Sequence, residues 1–451
     1  MISKRTFKGK FKTPDTENWY YGTLTYDPDK GAELEIFGTF NHKFWDQSSR
    51  QIIIGQTDEG DITLINNWYR RTRSSKNNIV VGVYRPNIII DGHIFKEISN
   101  INFEEVTFRV FNLFPWISKT GQNRNDIDYY NLGKYSIHYE EIPSIDFKLN
   151  NHCTGKISFE APIDFGAIQN EIKIYEEAYV TFNYSYHKNI ADILKDIAAF
   201  FNSITLFTNE QSYPTSILFR DSKFLEEKSK VQQRKYINCI YKNTFYDSKH
   251  KVRRSGEFLV EYSEIEGNYS TIINKWFELY EEMDSVMMLM MKYYKNKYEF
   301  SSDQFMDIIR AIENFHRIDH KNERISQGKF ENLVTTILKQ VDLEEEDLEW
   351  LTGRLKGNEP TLKNRLKDLI QESDTDLINE KVGKINSFCW KVTTSRNYYT
   401  HYDKNRKEEA AKSSDLLELT RTLRAILISN ILKKIDVPVK SYENGLKYHL
   451  G

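Results

Sequence analysis

The sequence predicts an α+β protein in which a β-rich N-terminal region precedes an all-α C-terminal region. Seven of the nine prolines lie before residue 215, and twelve of the twenty glycines lie before residue 167. Turn-forming residues therefore interrupt the first half of the chain far more often than the second. Apolar residues alternate with polar ones in the first half and recur every three or four residues in the second. These are the periods of strands and of helices.

The same change of pattern divides the chain. Residues 1–219 are predicted to form a sandwich-like or barrel-like β domain, and residues 267–440 an all-α helical bundle. The charged and mixed residues 220–266 are predicted to connect the two. A length of 451 residues is enough for two or three domains, each with its own core.

Alternating segments on either side of turn residues predict three β-hairpins. The predicted pairs are Tyr21–Tyr26 with Ala32–Phe37, Ile52–Ile54 with Ile62–Ile65, and Ile88–Ile90 with His93–Phe95. Their turns are Asp27–Gly31, Asp58–Asp61 and Asp91-Gly92. Further strands are predicted at Ile79–Tyr84, Val106–Leu113, Ile172–Tyr175 and Tyr179–Tyr184. A helix predicted at Ile190–Leu206 has an apolar stripe with which it would pack on the strands.

From Ser270 onward the apolar residues follow the helical period. The predicted helices are Thr271–Lys297, Ser302–Arg317, Lys329–Val341, Glu345–Leu355, Thr361–Gln371, Thr375–Thr400 and Lys412–Ile435. Ser302 is predicted to cap the second of them.

The composition is that of an ordinary soluble protein, with 28% charged and 39% hydrophobic residues. A net charge of −2 means that any contact with nucleic acid would need a local basic patch. Three scattered cysteines, Cys153, Cys239 and Cys389, favour a reducing cytoplasm over a disulfide framework or structural zinc. We find no signal peptide and no apolar run long enough to span a bilayer. The phosphate-binding-loop and G-x-S-x-G motifs are missing too, which argues against NTP-driven and α/β-hydrolase chemistry.

The helix predicted at Thr375–Thr400 brings an arginine to a buried face. Its apolar stripe runs through Ile378, Val382, Ile385, Cys389 and Val392, and the same step then reaches Arg396 and Tyr399. A buried charge is costly unless it is paired or used. Either a carboxylate faces Arg396, or the helix seam opens into a site.

Two polar residues close to Arg396 complete a candidate site. Asn397 is adjacent, and His401 lies one turn from Asn397, so the amide would be able to fix the tautomer of the imidazole. Arg396 and His401 are roughly 140° apart on a straight helix. They converge if the helix unwinds near Thr400, if the arginine reaches round, or if a second copy of the chain supplies one of them.

The pattern Arg-Asn-x-x-x-His at Arg396–His401 resembles the catalytic motif of HEPN-domain ribonucleases. The two-part layout and the stretch around Trp19–Phe37, with Tyr-Gly-Thr-Leu-Thr-Tyr-Asp ahead of Leu-Glu-Ile-Phe-Gly, resemble the ApeA-like anti-phage defence proteins. This resemblance implies a homodimeric HEPN endoribonuclease that aborts phage infection, with Arg396, Asn397 and His401 as catalytic residues. It also implies that the β-rich domain senses an unknown phage trigger or restrains the nuclease.

The expected chemistry is metal-independent cleavage of RNA by its own 2′-hydroxyl, which leaves a 2′,3′-cyclic phosphate. His401 would move a proton because the pKa of imidazole is near neutral. Arg396 would hold the non-bridging phosphate oxygens, and Asn397 would orient the imidazole or the phosphate. No cofactor is expected. Transfer RNA is a reasonable target because its loops expose unstacked bases.

Residues 391–407 form a basic patch with interleaved tyrosines. Five basic residues and one acidic residue give this segment a balance of +4. Cations would neutralise the RNA backbone and rings would stack on splayed bases. The candidate RNA-binding residues are Lys391, Tyr398, Tyr402, Lys404, Arg406 and Lys407. The alternative is that the cations face the helix C-terminus and the tyrosines, above all Tyr399, pack in the seam.

The segment Glu313-x-x-His316-x-x-x-His320 has a spacing that metal ligands use on a helix. His316 falls on the apolar face, which favours a core histidine, so no metal site is expected. Glu313 is instead a candidate for the carboxylate that orients Arg396.

Two other functions stay open at this point. The first is a catalytically inactive HEPN module that dimerises and binds RNA or a protein. The second makes the β domain a ligand-binding sandwich and the helices an oligomerisation stalk.

Overall fold

The structure is a computed structural model that describes residues 3–40, 49–74, 79–123, 138–150, 152–165, 172–228, 231–244, 246, 252, 254–295, 301–373 and 375–450. The chain divides into two compact units, Met1–Phe277 and Glu278–Gly451. Strands dominate the first unit and helices fill the second, which confirms the predicted α+β class. The domain boundaries predicted from the sequence stay predictions.

Eighteen strands lie within the described residues. In chain order they are β1 (Arg5–Lys12), β2 (Tyr20–Asp27), β3 (Gly31–Phe37), β4 (Arg50–Thr57), β5 (Gly60–Ser74), β6 (Val80–Asp91), β7 (Asn102–Val110), β8 (Gln122–Asn123), β9 (His138–Tyr139), β10 (Ile145–Asn150), β11 (Cys153–Glu160), β12 (Ile163–Phe165), β13 (Ile172–Ile174), β14 (Glu177–Asn189), β15 (Pro214–Arg220), β16 (Leu225–Lys228), β17 (Val231–Arg234) and β18 (Ile237–Tyr241).

Thirteen α-helices lie in the same described ranges. In chain order they are α1 (Leu113–Ile117), α2 (Ile190–Thr208), α3 (Tyr262–Ile265), α4 (Tyr269–Glu282), α5 (Asp284–Lys295), α6 (Ser302–Asp319), α7 (Gln327–Gln340), α8 (Glu345–Arg354), α9 (Leu362–Ser373), α10 (Asp376–Val382), α11 (Ile385–His401), α12 (Ser413–Lys434) and α13 (Glu443–Leu450).

The first six strands close into an antiparallel barrel in the order β1-β2-β3-β6-β5-β4, with β4 pairing again with β1. Two of its hairpins are those predicted from turn residues, closed by the pairs Asp27 with Gly31 and Thr57 with Gly60. Alternate residues point inward, as the period of a strand requires. The interior includes Phe7, Phe11, Leu24, Leu34, Ile36, Ile62, Leu64 and Tyr84.

The third predicted hairpin is wrong. Ile88–Ile90 continues the strand predicted at Ile79–Tyr84, and both belong to β6. After Gly92 the chain leaves the sheet, and the Thr63 hydroxyl donates to the carbonyl of His93 at 2.8 Å. The edge of β6 at Ile88–Asp91 is taken instead by β18. β18 lies in the predicted connector and leads into a second set of strands, ordered β18-β15-β7-β14-β11-β10.

Helix α2 packs on the second set of strands, as its apolar stripe predicted. The ring of Phe200 lies 5.6 Å from that of Phe108 on β7 and 5.9 Å from that of Phe182 on β14. On another side of α2, Trp276 Nε1 donates to the carbonyl of Ala199 at 2.7 Å. The helix is therefore held between the strands and α4.

Helix α12 is the central helix of the second unit. All residues from Thr422 to Leu432 are buried, so helices surround it on every side. Asn430 Nδ2 donates to the carbonyl of Leu369, and Ser429 Oγ donates to the carbonyl of Ser373, each at 3.0 Å. These bonds join α12 to α9. Helix α11, which carries the candidate site, packs against α6 and α9.

Two helices predicted to be continuous are divided. Met283 separates α4 from α5, and the last two residues of the predicted Thr271–Lys297 lie outside the described residues. Gly383 separates α10 from α11 with a φ of 56°, which glycine adopts without steric cost. Ser301 rather than Ser302 caps α6, since its side chain accepts a hydrogen bond from the Gln304 amide. In the part of the chain that is described, no helix combines the length and apolar character needed to cross a membrane.

Closure of the barrel leaves no room for a side chain at Gly9. A Cβ at this position would lie 2.1 Å from the Gln56 carbonyl oxygen and 2.7 Å from the Thr57 Cα. Gly9→Ala is therefore expected to destabilise the first unit by about 1–3 kcal/mol, because backbone atoms cannot rotate away. The measurement is thermal unfolding of the full-length chain. Gly267→Ala, whose methyl group meets nothing within 4 Å, is the control. Equal midpoints for the two variants would contradict the closed barrel.

Candidate functional site

The candidate residues lie on the last two turns of α11. The helix stays regular through His401, because Thr400 Oγ1 donates to the Arg396 carbonyl at 2.8 Å and the Tyr402 amide donates to the Tyr398 carbonyl at 2.6 Å. Tyr402 then ends the helix in the left-handed region, with a φ of 51°. Unwinding near Thr400 therefore does not bring Arg396 and His401 together.

Arg396 is half-buried, and its guanidinium is bonded to its neighbour in sequence. Nη1 donates to Asn397 Oδ1 at 3.3 Å. Within the described ranges no carboxylate forms an ion pair with Arg396, and Glu313 makes no hydrogen bond to it. Burial lowers the pKa of Arg365, and the charge of Glu313 acts against that shift. The role of Glu313 at Arg396 stays a prediction.

The side chain of His401 is exposed and makes no hydrogen bond to any residue that the structure describes. The oxygen of Asn397, which was expected to meet this imidazole, faces the guanidinium of Arg396 instead. The end of α11 thus carries a guanidinium with further N–H donors and an imidazole that is exposed to solvent. Arg396, Asn397 and His401 all lie on the last two turns of α11, and no hydrogen bond joins the side chains of Arg396 and His401.

A buried serine that the sequence did not single out fixes the end of α11 to the following segment. Ser395 Oγ donates to the Lys391 carbonyl at 2.8 Å and accepts from the Ala411 amide at 2.9 Å. The Tyr399 hydroxyl donates to the Ala411 carbonyl at 2.9 Å, and Lys391 Nζ donates to the Glu409 carbonyl at 2.8 Å. The sequence feature that could have identified Ser395 is its place as a small polar residue between the buried positions of the stripe.

The tyrosines form one cluster around the end of the helix. The ring of Tyr399 lies 5.0 Å from that of Tyr398, 6.4 Å from that of Tyr402 and 6.1 Å from that of Phe305 on α6. Burial raises the pKa of Tyr399. Tyr399 is thus packed, as the structural alternative expected. Tyr402 is 63% exposed and presents its ring to solvent.

The candidate cations differ in their availability. Lys391 is engaged by the Glu409 carbonyl, and Arg406 Nε lies 3.7 Å from Asp403 Oδ2. Lys404 and Lys407 are exposed and form no ion pair with the described residues. Together they place positive charge beside the exposed imidazole of His401.

The histidine-containing segment of α6 belongs to a second polar cluster. His316 is buried, with Nε2 3.0 Å from Asp368 Oδ2 and Nδ1 3.2 Å from Arg365 Nη1. Burial lowers the pKa of His316, which fits the predicted core histidine. Arg365, which the sequence analysis missed, is 2% exposed and falls on the apolar period of α9.

A neighbouring group has the ligand types of a cation site. One ligand atom each from Asp319, His320 and Glu372 lies within 4.8 Å of the others, and His316 is not part of this group. His320 Nε2 is 2.9 Å from Glu372 Oε1, so the same residues also form an ion pair when the imidazole is protonated.

Comparison with known proteins matches both parts of the chain. A family model described as ApeA N-terminal domain 1 matches residues 6–276, which is more than half of the chain. A model described as Apea-like HEPN matches residues 306–441, a range that contains Glu313 and the whole segment 391–407. The comparison with curated proteins and the comparison with solved structures found no match.

The hydroxyl of Ser395 is expected to hold the segment that follows α11 in place. Ser395→Ala leaves the Ala411 amide without its acceptor, at a cost of about 1–3 kcal/mol. Hydrogen exchange at Ala411, followed by mass spectrometry or NMR, should become about tenfold faster or more. Thr393→Ala is the matched control, because Thr393 Oγ1 donates only within α11, to the Cys389 carbonyl at 2.8 Å. Unchanged exchange in Ser395→Ala would show that this hydroxyl does not anchor the segment.

Proposed function

We propose, since the chain belongs to the ApeA-like family and has a C-terminal HEPN domain, that it is an anti-phage endoribonuclease. The observation that carries the proposal is the end of α11. There a half-buried guanidinium without a carboxylate partner among the described residues lies five residues before an exposed imidazole that has no hydrogen bond to them. These are the two groups that cleavage of a phosphodiester requires.

Arg396 supplies the electrostatic part of the reaction. A guanidinium has five N–H donors, and the one hydrogen bond to Asn397 leaves the others for a phosphate. As the ribose 2′-oxygen attacks phosphorus, charge grows on the two non-bridging oxygens, and a planar fork of donors stabilises both. Asn397 holds that fork in place through its side-chain oxygen.

His401 supplies proton transfer. The 2′-hydroxyl loses a proton as the new P–O bond forms, and the departing 5′-oxygen gains one as the old bond breaks. The products are a 2′,3′-cyclic phosphate and a 5′-hydroxyl, and no metal ion takes part. Imidazole is suited to either transfer because both of its protonation states are populated near neutral pH.

A homodimer supplies the second proton-transfer group. One histidine cannot stand on both sides of an in-line displacement, and the regular end of α11 keeps Arg396 and His401 of one chain roughly 140° apart. Two helix ends facing each other across a two-fold axis would offer each phosphate a guanidinium and two imidazoles. The exposure of His401 supports such an arrangement.

RNA is held beside the site by charge and by stacking. Lys404, Arg406 and Lys407 are exposed, and the ring of Tyr402 is open to an unstacked base. Transfer RNA suits this surface because its loops expose such bases. The first unit, matched by the ApeA N-terminal domain model, would sense the phage trigger or restrain the nuclease in the cytoplasm.

One observation favours the alternative of an inactive HEPN module that dimerises and binds RNA or a protein. His401 has no orienting hydrogen bond among the residues described, whereas a working general base commonly has one. A binding module has no need for this imidazole. Removal of the His401 imidazole would therefore disable a nuclease and leave a binding module functional.

His401→Ala is expected to lower RNA cleavage by about 10²–10⁴-fold while leaving RNA binding intact. Arg396→Lys should also lose most activity, because an ammonium lacks the planar fork that donates in parallel to two phosphate oxygens. The measurement is incubation of purified full-length protein with total RNA, with and without EDTA, followed by mapping of the cut ends. Asn405→Ala, at an exposed neighbouring position outside the candidate set, is the control.

Two results would contradict the nuclease. Undiminished cutting by His401→Ala would remove the histidine from the reaction. Ends without cyclic phosphate, or cutting that EDTA abolishes, would exclude the metal-independent route. Wild-type protein that binds RNA and never cuts it would favour the alternative module.

Replacing Lys404, Arg406 and Lys407 together by Gln is expected to weaken RNA binding in a salt-dependent way. Loss of three phosphate contacts should reduce the slope of log K against log salt by about 2 for single-stranded RNA. A matched control replaces Lys329, Lys339 and Lys356, three exposed lysines of the same unit. Equal slopes for the two triple variants would show that the patch does not contact the RNA backbone.

A further inference from the structure

We propose a divalent-cation site in the first unit, formed by Glu104, His187 and Asp221. Glu104 lies on β7, His187 on β14, and Asp221 directly follows β15. The site is separate from the end of α11 and does not rest on the proposed RNA cleavage. These three residues are far apart in the chain, so no local sequence pattern connects them.

The three residues lie on, or directly after, neighbouring strands of one sheet. β7 lies between β14 and β15 and is antiparallel to both. Lys188 pairs with Phe103 on one side, and Arg220 pairs with Glu105 on the other. Glu104 lies between Phe103 and Glu105, where the register of β14 is interrupted between Asn183 and Lys188, and Asp221 directly follows Arg220. The side chains of His187, Glu104 and Asp221 meet at this interruption, as the distances between them show.

The distances fit three ligands around one ion. His187 Nε2 lies 3.2 Å from Glu104 Oε1 and 3.1 Å from Asp221 Oδ2, and one ligand atom of each residue lies within 4.8 Å of the others. Two ligands that are each about 2.1 Å from a tetrahedral metal ion are about 3.4 Å apart. The two distances from the imidazole nitrogen are close to that spacing.

The burial and hydrogen bonding of Asp221 give an independent indication of a bound cation. Its side chain is fully buried, and Oδ2 accepts no hydrogen bond in the described part of the chain. Oδ1 is already fixed by the amide of Lys223 at 2.9 Å. Lys223 is half-exposed, and its Nζ lies 3.9 Å from Oδ2. A buried carboxylate oxygen without a donor is costly, and a cation at this point would compensate it.

Hydrogen bonds also orient the carboxylate of Glu104. The Ser222 hydroxyl donates to Oε1 at 3.0 Å and the Ser222 amide donates to Oε2 at 3.2 Å. Ser222 thus orients this carboxylate, as the outer contacts of metal ligands commonly do.

The ligand set favours a first-row divalent cation such as Zn²⁺. One imidazole nitrogen and two carboxylate oxygens match its preferences, and the two negative charges balance the charge of the ion. Three protein ligands leave at least one position for water or for another molecule. The competing arrangement is a protonated His187 that bridges both carboxylates, and it would take up no metal.

The test is zinc uptake by the full-length chain in a His320→Gln background, which disables the group formed with Asp319 and Glu372. Protein stripped with chelator and dialysed is titrated with ZnCl2 by calorimetry, and bound zinc is counted by mass spectrometry. We expect one zinc per chain and a rise in the unfolding midpoint of roughly 5 °C or more at saturation. His187→Gln and Glu104→Gln should each weaken uptake about tenfold or more.

Glu105→Gln is the matched control, because its charge pairs with Arg220 at 3.4 Å outside the ligand set. His187 is partly exposed, so its replacement tests the site without disturbing the buried Asp221. Equal uptake by His187→Gln and Glu105→Gln would overturn the proposal. So would the lack of any uptake by the background protein at about 100 μM ZnCl2. RNA cleavage is not a readout, so a failure here is distinct from a failure of the proposed nuclease.

Discussion

The cost of placing a guanidinium on a half-buried helix face is the constraint on which the candidate site depends. Arg365 and Arg396, both in the helical unit, meet this cost in opposite ways. Arg365 is almost fully buried, and His316, Asn322 and the carbonyl of Pro360 take up its donors. Arg396 has Asn397 alone among the described residues. The first arginine holds helices together, whereas the second keeps donors that only water, a substrate or another chain can use.

Much of this site could be predicted because its parts are close in sequence. Arg396, Asn397 and His401 occupy one helix, so their spacing fixes which faces they occupy. What the sequence could not show is which side chains are already engaged. Lys391 and Tyr399 hold the segment before α12, and Ser395, buried between them, does the same. Such contacts depend on where the chain returns after the helix, which no local pattern records.

The fold shows the same division between local and distant interactions. The hairpins around Asp27–Gly31 and Asp58–Asp61 were predictable because turn chemistry and alternation determine them together. Asp91-Gly92 carries an equally strong turn signal, yet its neighbour β6 pairs with β18 from far along the chain. Similarly, the apolar stripe correctly placed Ile378 and Cys389 in the core, but did not reveal that Gly383 divides the helix. The apolar period therefore predicts which residues are buried better than it predicts whether a helix is continuous.

The barrel has a consequence for the order in which the chain folds. All six of its strands lie between Arg5 and Asp91, so every pairing that closes it is available once that stretch has left the ribosome. The edge of β6 at Ile88–Asp91 then stays unpaired until β18 has been synthesised. Until Tyr241 is synthesised, a nascent chain with a finished barrel carries an open edge of isoleucines. Such an edge is a template for pairing with other chains. During translation, chaperones or rapid synthesis of the remaining strands would prevent that pairing.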